Sequence, residues 1–456
     1  MKILITGASG FIGTQLCAAL FRKGHDLVLL SRSKQKLQSQ FAYPFEAIEH
    51  DLMKGKIESP LLKEVDAVIH LAGESVAEGR WNEQRKKEIE SSRTIGTTHL
   101  VESFDSAEAH PSVFLSASAV GYYGDRGEET LTETSRAGDD FLAKVCQKWE
   151  AIPTTFFKNT STRSVQVRIG LVLGYGGGMM KNILPLFRAG LGGKLVKGNQ
   201  WMPWIHLDDL VQLIMTAIEN PHYKGPINGC SPYPVTNQEF TTVLANHVQK
   251  PAPFPVPFFA LKTTLGELAS HVIASMNVIP QKAKDLGFQF RFPRLKSAFE
   301  DLFPSNGKDS VFTQVQFVSK PLSEVFEFFS DAYNLEKITP DFLKFQIDKV
   351  STEKIKKDTF IDYSLKIRGI PVRWKTRIAS WDPPHRFEDH QIKGPYSKWE
   401  HLHEFESLRH GVWMTDRVFY REPLGLLGYL TAHPFVKGDV EKIFKHRSQV
   451  IHELFD

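Results

Sequence analysis

The chain begins with MKILITGASGFIG (residues 1–13), and this stretch decides the fold. An apolar run is followed at once by three glycines, and then by a pattern with apolar residues on one helical face. That order predicts a strand, a tight turn and a helix, in which the glycines allow the sharp turn, the approach of a pyrophosphate and close packing of helix on strand. The free N–H groups at the start of the helix favour an anion there. We therefore predict a dinucleotide site that includes Gly7, Gly10, Phe11, Ile12 and Gly13.

The composition is that of an ordinary globular protein. A length of 456 residues suggests two or three domains, and a net charge of +4 is too small to favour a nucleic-acid partner. Three cysteines lie far apart without metal-ligand spacing, so we expect neither a disulfide framework nor a zinc site. The chain enters a strand directly and has no apolar run of about 18 residues. We expect a cytoplasmic protein with no export signal and no membrane span.

The end of the second predicted strand (26–30) distinguishes two cofactors. An acidic residue there would bind the ribose 2′-hydroxyl of NAD, whereas Ser31 and Arg32 suit the 2′-phosphate of NADP. Lys34 and Lys36 follow, and no carboxylate competes within this segment. NADP is therefore favoured over NAD, the alternative being a solvated arginine at a strand end.

Two later strand ends add residues to the predicted site. Asp51 and Leu52 close a third strand, where a carboxylate can accept a hydrogen bond from an adenine amino group. The fourth strand (65–71) is mostly apolar and closes in Ala72 and Gly73, small residues that let a cofactor pass close to the backbone. The predicted cofactor site thus extends over several neighbouring strand ends.

Short motifs recur at the predicted strand ends: TGASGFIG (6–13), HLAG (70–73), SASAVGYYG (116–124), RIGLVLG (168–174) and WIHLDD (204–209). Together they resemble the extended short-chain dehydrogenase/reductase superfamily. Three longer segments resemble its atypical, NAD(P)-dependent epimerase-like branch, whose members are sometimes labelled SulA-like or cell-division inhibitor: GGGMMKNILPLF (176–187), GNQWMPWIHLDDL (198–210) and GFQFRFP (287–293).

The resemblance covers about residues 1–303. It implies an α/β Rossmann domain with a doubly wound parallel sheet, and a small substrate lobe and tail built from about 175–303. It also implies that NADP is bound by residues matching the family's cofactor contacts, namely Ser31, Arg32, Leu71, Ala72, Glu88, Arg93 and Val172.

The chain departs from the superfamily's catalytic pattern. Classical members of that superfamily carry Tyr-x-x-x-Lys on the helix after the serine strand, where the tyrosine is the general acid/base. If Glu150 is aligned to a glutamate common in this helix, Leu142 and Cys146 fall on the tyrosine and lysine positions. Ser118 remains a candidate to polarise a substrate carbonyl or hydroxyl. Tyr122, or its neighbour Tyr123, is a candidate to supply a phenol, the alternative being that both tyrosines only pack against the lobe.

Residues beyond a turn-rich segment (304–309) show a different pattern, and we place the domain boundary there. A strand, a short aromatic helix, alternating strands and a long amphipathic helix predict a second, α+β domain over 310–456. The order of these elements, together with KGPYSKWEHLHEF (393–405), resembles the START-like, polyketide-cyclase superfamily with its helix-grip fold. The resemblance implies an apolar cavity for a lipid-like or aromatic ligand.

Two groups of side chains invite a metal hypothesis that the sequence does not favour. The spacing of His206, Asp208 and Asp209 does not supply a third convergent metal ligand. This motif is more typical of a helix cap. His401 and His403 share one strand face but also lack a third ligand, so a structural or cavity-lining role is expected. We predict no metal site.

Two functions follow from these observations. The first is NADP-dependent oxidoreduction or epimerisation of a small-molecule substrate, because the cofactor motifs and Ser118 are intact. The second is a non-catalytic sensor, in which NADP occupancy regulates binding of a lipid-like ligand or a protein partner. The missing Tyr-Lys pair favours the second.

Overall fold

The computed structural model describes residues 1–304, 308–422 and 425–455, so the centre of the predicted 304–309 linker lies outside the described residues. The chain divides into two compact units. The first comprises Met1–Gln40 and Phe45–Asn306, and the second comprises Phe41–Pro44 and Gly307–Asp456.

The strands of the first unit form one large sheet and three small pairs. In chain order they are β1 Lys2–Thr6, β2 Asp26–Ser31, β3 Glu46–Glu49, β4 Ala67–His70, β5 Val113–Ala119, β6 Thr130–Leu131, β7 Arg163–Ile169, β8 Leu171–Leu173, β9 Trp201–Met202, β10 Trp204–His206, β11 Gly225–Gly229, β12 Val235–Thr236 and β13 Asn277–Val278. The large sheet is parallel, with seven strands in the order β11-β7-β5-β4-β1-β2-β3. This is the doubly wound Rossmann order, and the strand order reverses between β1 and β4, where such sheets bind ligands.

Helices connect these strands and cover the sheet. They are α1 Phe11–Arg22, α2 Lys34–Gln40, α3 Glu83–Ser106, α4 Phe141–Phe156, α5 Met180–Arg188, α6 Leu207–Glu219, α7 Asn237–Val248, α8 Phe258–Leu265, α9 Leu268–Val272, α10 Gln281–Asp285 and α11 Leu295–Leu302. In β1, Ile3, Leu4 and Ile5 are all fully buried. A central parallel strand is covered on both faces, which is why it reads as an unbroken apolar run.

The apolar run over 165–173, which by its pattern alone would be one strand, forms parts of two strands that separate at Gly170. β7 continues the large sheet, whereas β8 pairs with β10. A Cβ at Gly170 would lie 2.8 Å from the carbonyl oxygen of Pro203. The chain therefore leaves the sheet at a position where another backbone segment passes too close for a side chain.

The WIHLDD segment caps a helix, as predicted. The Nδ1 atom of His206 accepts a hydrogen bond from the backbone N–H of Asp208 at 3.1 Å, at the start of α6. Asp209 is buried and makes contacts that the sequence did not predict. Its carboxylate accepts the backbone N–H groups of Arg291 (2.7 Å) and Phe292 (2.9 Å), and so fixes the tail to the substrate lobe.

The second unit contains an antiparallel sheet of seven strands in the order β14-β20-β19-β18-β17-β16-β15, together with helices. Its elements are β14 Ser310–Val318, α12 Leu322–Phe329, α13 Asn334–Lys337, β15 Gln346–Val350, β16 Phe360–Ile367, β17 Ile370–Asp382, β18 Arg386–Lys393, β19 Lys398–Leu408, β20 Gly411–Arg421 and α14 Gly425–Phe455. On α14, which is amphipathic as predicted, Phe444 and Ile451 are buried, whereas Leu454 is half exposed. The predicted α+β plan is confirmed at this level.

Among the described helices, none combines the length and the apolar character that crossing a membrane requires.

Candidate functional site

The turn between β1 and α1 fits tightly against the end of β4. Gly7 has a φ of +71°, and a Cβ on it would lie 2.8 Å from the carbonyl carbon of Leu71 and 2.9 Å from the N atom of Ala72. A Cβ on Gly13 would overlap the carbonyl oxygen of Gly7. Both positions therefore require glycine, as the motif demands. The result is a bare backbone cradle at the point where the strand order reverses.

Gly10 and the start of α1 are arranged for an anion. Gly10 is the N-cap of α1 and has extended backbone angles (φ −82°, ψ 174°) with no side-chain capping bond. The first N–H groups of the helix are thus left for a ligand, which is the usual arrangement for a bound phosphate.

Phe11 has a structural role that the sequence did not reveal. A Cβ at Gly177 would overlap its ring, and a Cβ at Gly174 would lie 2.5 Å from it. The glycines after β8 let their loop pack on Phe11. Ile12 beside it is half buried.

The end of β2 leaves one cation available. Arg32 is exposed and has no ion-pair partner among the described residues. Ser31 accepts a hydrogen bond from the backbone N–H of Ser33 at 3.2 Å. The expectation of no nearby carboxylate needs correction, because register pairs Ser31 with Glu49 of β3. However, Glu49 accepts the backbone N–H of Lys34 at 2.7 Å, so it does not occupy the Arg32 guanidinium.

The other predicted cofactor residues have varied surroundings. Asp51 accepts the N–H of Met53 at 3.0 Å, within its own turn. Leu52 is buried, and its carbonyl oxygen lies 2.6 Å from the Nδ1 atom of His99. Val172 lies in β8, and its carbonyl oxygen would be 3.1 Å from a Cβ on Gly178.

Arg93 and Glu88, both on α3, are not brought together. Glu88 bonds instead to Arg85 (3.1 Å) and Gln84 (3.0 Å) on its own helix. The Arg93 guanidinium donates to the carbonyl of Ile89 at 3.0 Å. Burial lowers the pKa of Arg93, and no carboxylate of the described chain lies within ion-pair distance of it.

The Arg93 side chain reaches the end of β4. A Cβ on Gly73 would lie 3.4 Å from its Cζ atom, and the guanidinium stacks 5.1 Å from the ring of Trp149 on α4. Arg93 is therefore a half-buried cation beside the cradle.

A buried hydrogen-bond chain fixes the end of β4. Thr6 Oγ1 lies 2.6 Å from Nδ1 of His70 and accepts the backbone N–H of Ala72 at 3.1 Å. The other ring nitrogen of His70 lies 2.9 Å from Oγ1 of Thr97. Burial, and then the charge of Arg93, lower the pKa of His70 to about 4. His70 is thus a neutral side chain that fixes the end of β4 behind the glycine turn.

Because His70 stays neutral in the folded protein, we predict that acid lowers the stability of the first unit. The unfolded chain takes up a proton at His70 below about pH 6.5, whereas the folded unit resists it down to about pH 4. Stability from this group is therefore full above pH 6.5 and is lost as the pH falls to 4, by about 3 kcal/mol in total. Urea unfolding of the His70→Gln variant between pH 7 and 4 should show a smaller decline than the parent. Replacing exposed His110 by glutamine is the control, and an equal slope in all three proteins would contradict the assignment.

Ser118 lies in a buried network at the end of β5. Its hydroxyl donates to Oε1 of Glu150 at 2.6 Å. Arg168 of β7 donates to both oxygens of the same carboxylate, from Nε at 2.9 Å and from Nη2 at 2.8 Å. The Arg168 side chain is only 4% exposed. Glu150 and Arg168 therefore hold Ser118 in one orientation, with its hydrogen directed at the Glu150 carboxylate.

Tyr122 and Tyr123 follow in a short 3-10 helix and differ in their hydrogen bonding. Tyr123 is fully buried, donates to Oδ1 of Asn228 at 2.7 Å and accepts from Arg168 at 2.9 Å. Burial is the main reason that its pKa is raised. The half-buried ring of Tyr122 stacks on the Arg168 guanidinium at 3.4 Å, and its hydroxyl has no hydrogen-bond partner within the described residues. Of the two phenols, Tyr122 is the one available to a substrate.

Helix α4 carries neither a phenol nor an amine at the aligned positions. Leu142 packs near Gly121, where an added Cβ would lie 3.3 Å away. Cys146 is buried with its Sγ atom 3.7 Å from the carbonyl oxygen of Ala119, and burial raises its pKa to about 11. Asp140 caps the helix through the N–H of Ala143 at 2.8 Å. A phenol or an amine for acid/base chemistry at this site must therefore come from outside α4.

The second unit encloses a cavity of about 710 Å³. Its wall is mostly aromatic and aliphatic, with Tyr363, Trp374 and Trp399 among the large side chains. Polar side chains also reach the wall, and three of them, Asp389, His401 and His403, converge. Asp389 is the third group that the sequence spacing did not reveal, because it lies on the strand paired with that of the histidines.

Comparison with known proteins agrees with this fold. Residues 3–229 match the model of the NAD dependent epimerase/dehydratase family, the class that the parallel sheet and glycine cradle define. Residues 256–302, the tail held by Asp209, match a domain of unknown function, DUF1731.

Individual relatives show which group of this family the chain resembles. The chain is 41% identical over 304 residues to the chloroplastic SDR39U1 homolog of Arabidopsis thaliana, covering 65% of this chain and 85% of the relative. It is 36% identical to SDR39U1 of Mus musculus, covering 66% of this chain and 99% of the relative. The chain therefore belongs to the SDR39U1 group of epimerase family proteins.

Two solved structures also resemble the chain. The structure of human SDR39U1 with NADPH has a TM-score of 0.59 and 33% identity, covering 66% of this chain and 99% of that one. A nucleoside-diphosphate sugar epimerase from Corynebacterium glutamicum has a TM-score of 0.53 and 33% identity, covering 66% of this chain and 58% of that one. The START-like resemblance of the second unit and the cytoplasmic location stay predictions.

Proposed function

We propose that the first unit binds NADP(H) and is an oxidoreductase or epimerase acting on a small molecule. The observation that carries the cofactor assignment is the bare cradle at Gly7 and Gly13, where no side chain fits. Exposed Arg32 at the end of β2 adds a cation suited to the 2′-phosphate. The NADPH bound in the human relative supports the same choice.

This chain's own residues would hold the cofactor in three places. The turn over Gly7, Gly10 and Gly13 faces the pyrophosphate, and Ser31 with Arg32 binds the 2′-phosphate. The end of β4, Leu71–Gly73, borders the cofactor between these contacts and the serine strand, with Arg93 beside it. When bound, NADP(H) supplies a hydride acceptor or donor.

Ser118 and Tyr122 are the proposed catalytic groups. Register pairs His70 with Ser116, so Ser118 lies level with the residues just after β4. Because Ser118 donates its hydrogen to Glu150, its oxygen accepts, which suits a substrate hydroxyl. The unpartnered phenol of Tyr122 then holds or releases the proton that hydride transfer requires.

A second candidate function is an NADP-occupancy sensor without turnover. The observation that favours it is the replacement of the usual phenol and amine by Leu142 and by Cys146, whose thiol burial keeps protonated. In this reading the Glu150–Arg168 network is purely structural. The second unit would carry the output.

We also propose that the second unit is a START-like, helix-grip module, as predicted over 310–456, that binds a hydrophobic small molecule. The support is its antiparallel sheet and long final helix, together with an aromatic cavity of about 710 Å³. A volume of this size suits a drug-sized or lipid-like ligand.

The cofactor proposal is tested by calorimetric titration with NADPH and NADH. We expect NADPH to bind more tightly, and Arg32→Ala to weaken NADPH binding at least 10-fold while leaving NADH binding unchanged, because only the former has a 2′-phosphate. Lys63→Ala is the charge-matched control, since Lys63 precedes β4 and so lies at the amino ends of the parallel strands, whereas Arg32 follows the carboxyl end of β2. Equal loss for both nucleotides, or for the control, would contradict the assignment.

The catalytic proposal is tested by NADPH oxidation with carbonyl compounds and nucleotide sugars. We expect Tyr122→Phe to lower turnover by about 10²-fold or more with unchanged NADPH affinity, because it removes only the phenolic hydroxyl group and keeps the ring. Ser118→Ala should also lower turnover. Unchanged turnover in Tyr122→Phe would refute the phenol's role. NADPH binding without turnover of any compound would favour the sensor.

A further inference from the structure

Four side chains of the second unit meet on the inner face of the sheet. Asp389 lies on β18, His401 and His403 on β19, and Asp416 on β20. Register pairs Asp389 with His401, and His403 with Asp416. Both histidines are nearly fully buried and Asp416 is 1% exposed. Three strands thus bring two imidazoles between two carboxylates.

The Asp416 carboxylate fixes one nitrogen of each ring. Its Oδ1 atom lies 3.0 Å from Nε2 of His401 and 2.7 Å from Nδ1 of His403. A carboxylate oxygen only accepts, so both of these nitrogens carry hydrogens. Arg447 lies 3.5 Å from the same Nδ1 atom, a longer contact that leaves Asp416 as its partner.

The remaining ring nitrogens face a second acceptor. Nδ1 of His401 is 3.6 Å from Oδ2 of Asp389, and Nε2 of His403 is 3.4 Å from the same oxygen. With the other nitrogens protonated, neutral imidazoles present lone pairs here. Two nitrogens and one carboxylate oxygen then converge with no donor between them. With both rings neutral, a cation at their centre satisfies all three.

We propose that Asp389, His401 and His403 bind a divalent transition metal ion of the zinc type. A tetrahedral ion with ligands at about 2.0–2.2 Å holds its ligand atoms about 3.3–3.6 Å apart, which matches the two distances above. Two imidazoles and one carboxylate suit zinc and iron far better than calcium or magnesium. Asp416 is the positioning residue, orienting both rings from behind.

The proposed ion would be open to the cavity. Asp389, His401 and His403 all line it, whereas Asp416 does not. Three protein ligands leave at least one coordination position free on that side. Arg447 also lines the cavity and lies 3.6 Å from Asp416. Resting on the ligand proposed above for the second unit, we expect that ligand to be an apolar molecule with an acidic oxygen that coordinates the ion and faces the Arg447 guanidinium.

A second cluster of possible metal ligands does not support a metal site in the same way. Glu388, His390 and Glu400 lie on the opposite face of the same strands and are half buried. His390 already contacts Glu388 at 2.8 Å, and Glu400 is paired with Lys398 at 2.8 Å. This group supplies the matched control.

The test uses the full chain, stripped with a chelator and then titrated with Zn²⁺ or Co²⁺ alone. We expect one ion per chain, visible d–d bands for Co²⁺, and a higher melting temperature of the second unit. Asp389→Asn and His403→Gln should each weaken binding at least 100-fold, and Asp416→Asn by 10- to 100-fold. His390→Gln should bind like the parent.

The alternative is that both histidines are doubly protonated and form ion pairs with the two aspartates. It predicts no stoichiometric metal, and that result would overturn the proposal, as would loss of binding in His390→Gln alone. If the variants at the site fail to fold, X-ray absorption of the zinc-loaded parent decides. Two imidazole ligands are expected, and their absence would refute the site. None of these outcomes depends on NADPH binding by the first unit.

Discussion

Replacing Glu150 by glutamine is expected to lower the free energy of unfolding of the first unit by about 3–5 kcal/mol. Arg168 donates two hydrogen bonds to this carboxylate, at 2.9 and 2.8 Å, in a nearly water-free position. Glutamine keeps the shape but removes the charge, so a buried guanidinium loses its counter-ion. Urea unfolding, followed by hydrogen exchange of the β5 and β7 amides, reports on this unit separately.

Two companion variants separate the charge from the hydrogen bond. Glu90→Gln removes a carboxylate whose partner, Lys148, is mostly exposed, and should cost less than about 1 kcal/mol. Ser118→Ala removes one hydrogen bond to Glu150 but leaves the ion pair, and should cost about 1 kcal/mol. Equal losses for Glu150→Gln and Glu90→Gln would mean that water reaches Arg168.

Gly10→Ala is expected to weaken NADPH binding at least 100-fold while leaving the fold intact. The backbone angles of Gly10 are open to alanine, and the added Cβ would meet only the carbonyl oxygen of Gly7, at 3.2 Å. The methyl group would instead occupy the space through which the pyrophosphate approaches. Calorimetry with NADPH and thermal unfolding of the same sample measure both quantities.

Gly7→Ala is the comparison for this variant. Gly7 has a φ of +71° and faces the backbone of Leu71, so alanine there should reduce stability as well as binding. Normal NADPH affinity in Gly10→Ala would show that no pyrophosphate lies over this turn. A marked loss of stability in Gly10→Ala would show that the turn is tighter than its geometry indicates.

Features set by neighbouring residues were predictable from the sequence. The first strand, the glycine turn and the α1 helix are adjacent in the chain, and their chemistry is local. The cap at His206 was predictable for the same reason. The antiparallel second unit followed from alternation along single strands.

Features made by distant residues were not predictable. Glu150 and Arg168 served only as alignment landmarks, because nothing in either segment shows that the two side chains meet. Asp389 lies on β18 and His401 on the next strand, β19. Only the register of these two strands brings their side chains together. The contact of Phe11 with Gly177 likewise required the folded loop.

The Asp209 carboxylate accepts two hydrogen bonds from backbone N–H groups of the tail, and this affects how that segment can be inherited. Family models treat residues 256–302 as a separate domain, yet Phe292 and Phe299 complete the core of the lobe, and β13 pairs with β6. Detached, this segment would expose an apolar surface with nothing to cover it. We therefore expect a gene that carries this segment without the lobe to encode an unstable product, so that the lobe and its tail are gained or lost together.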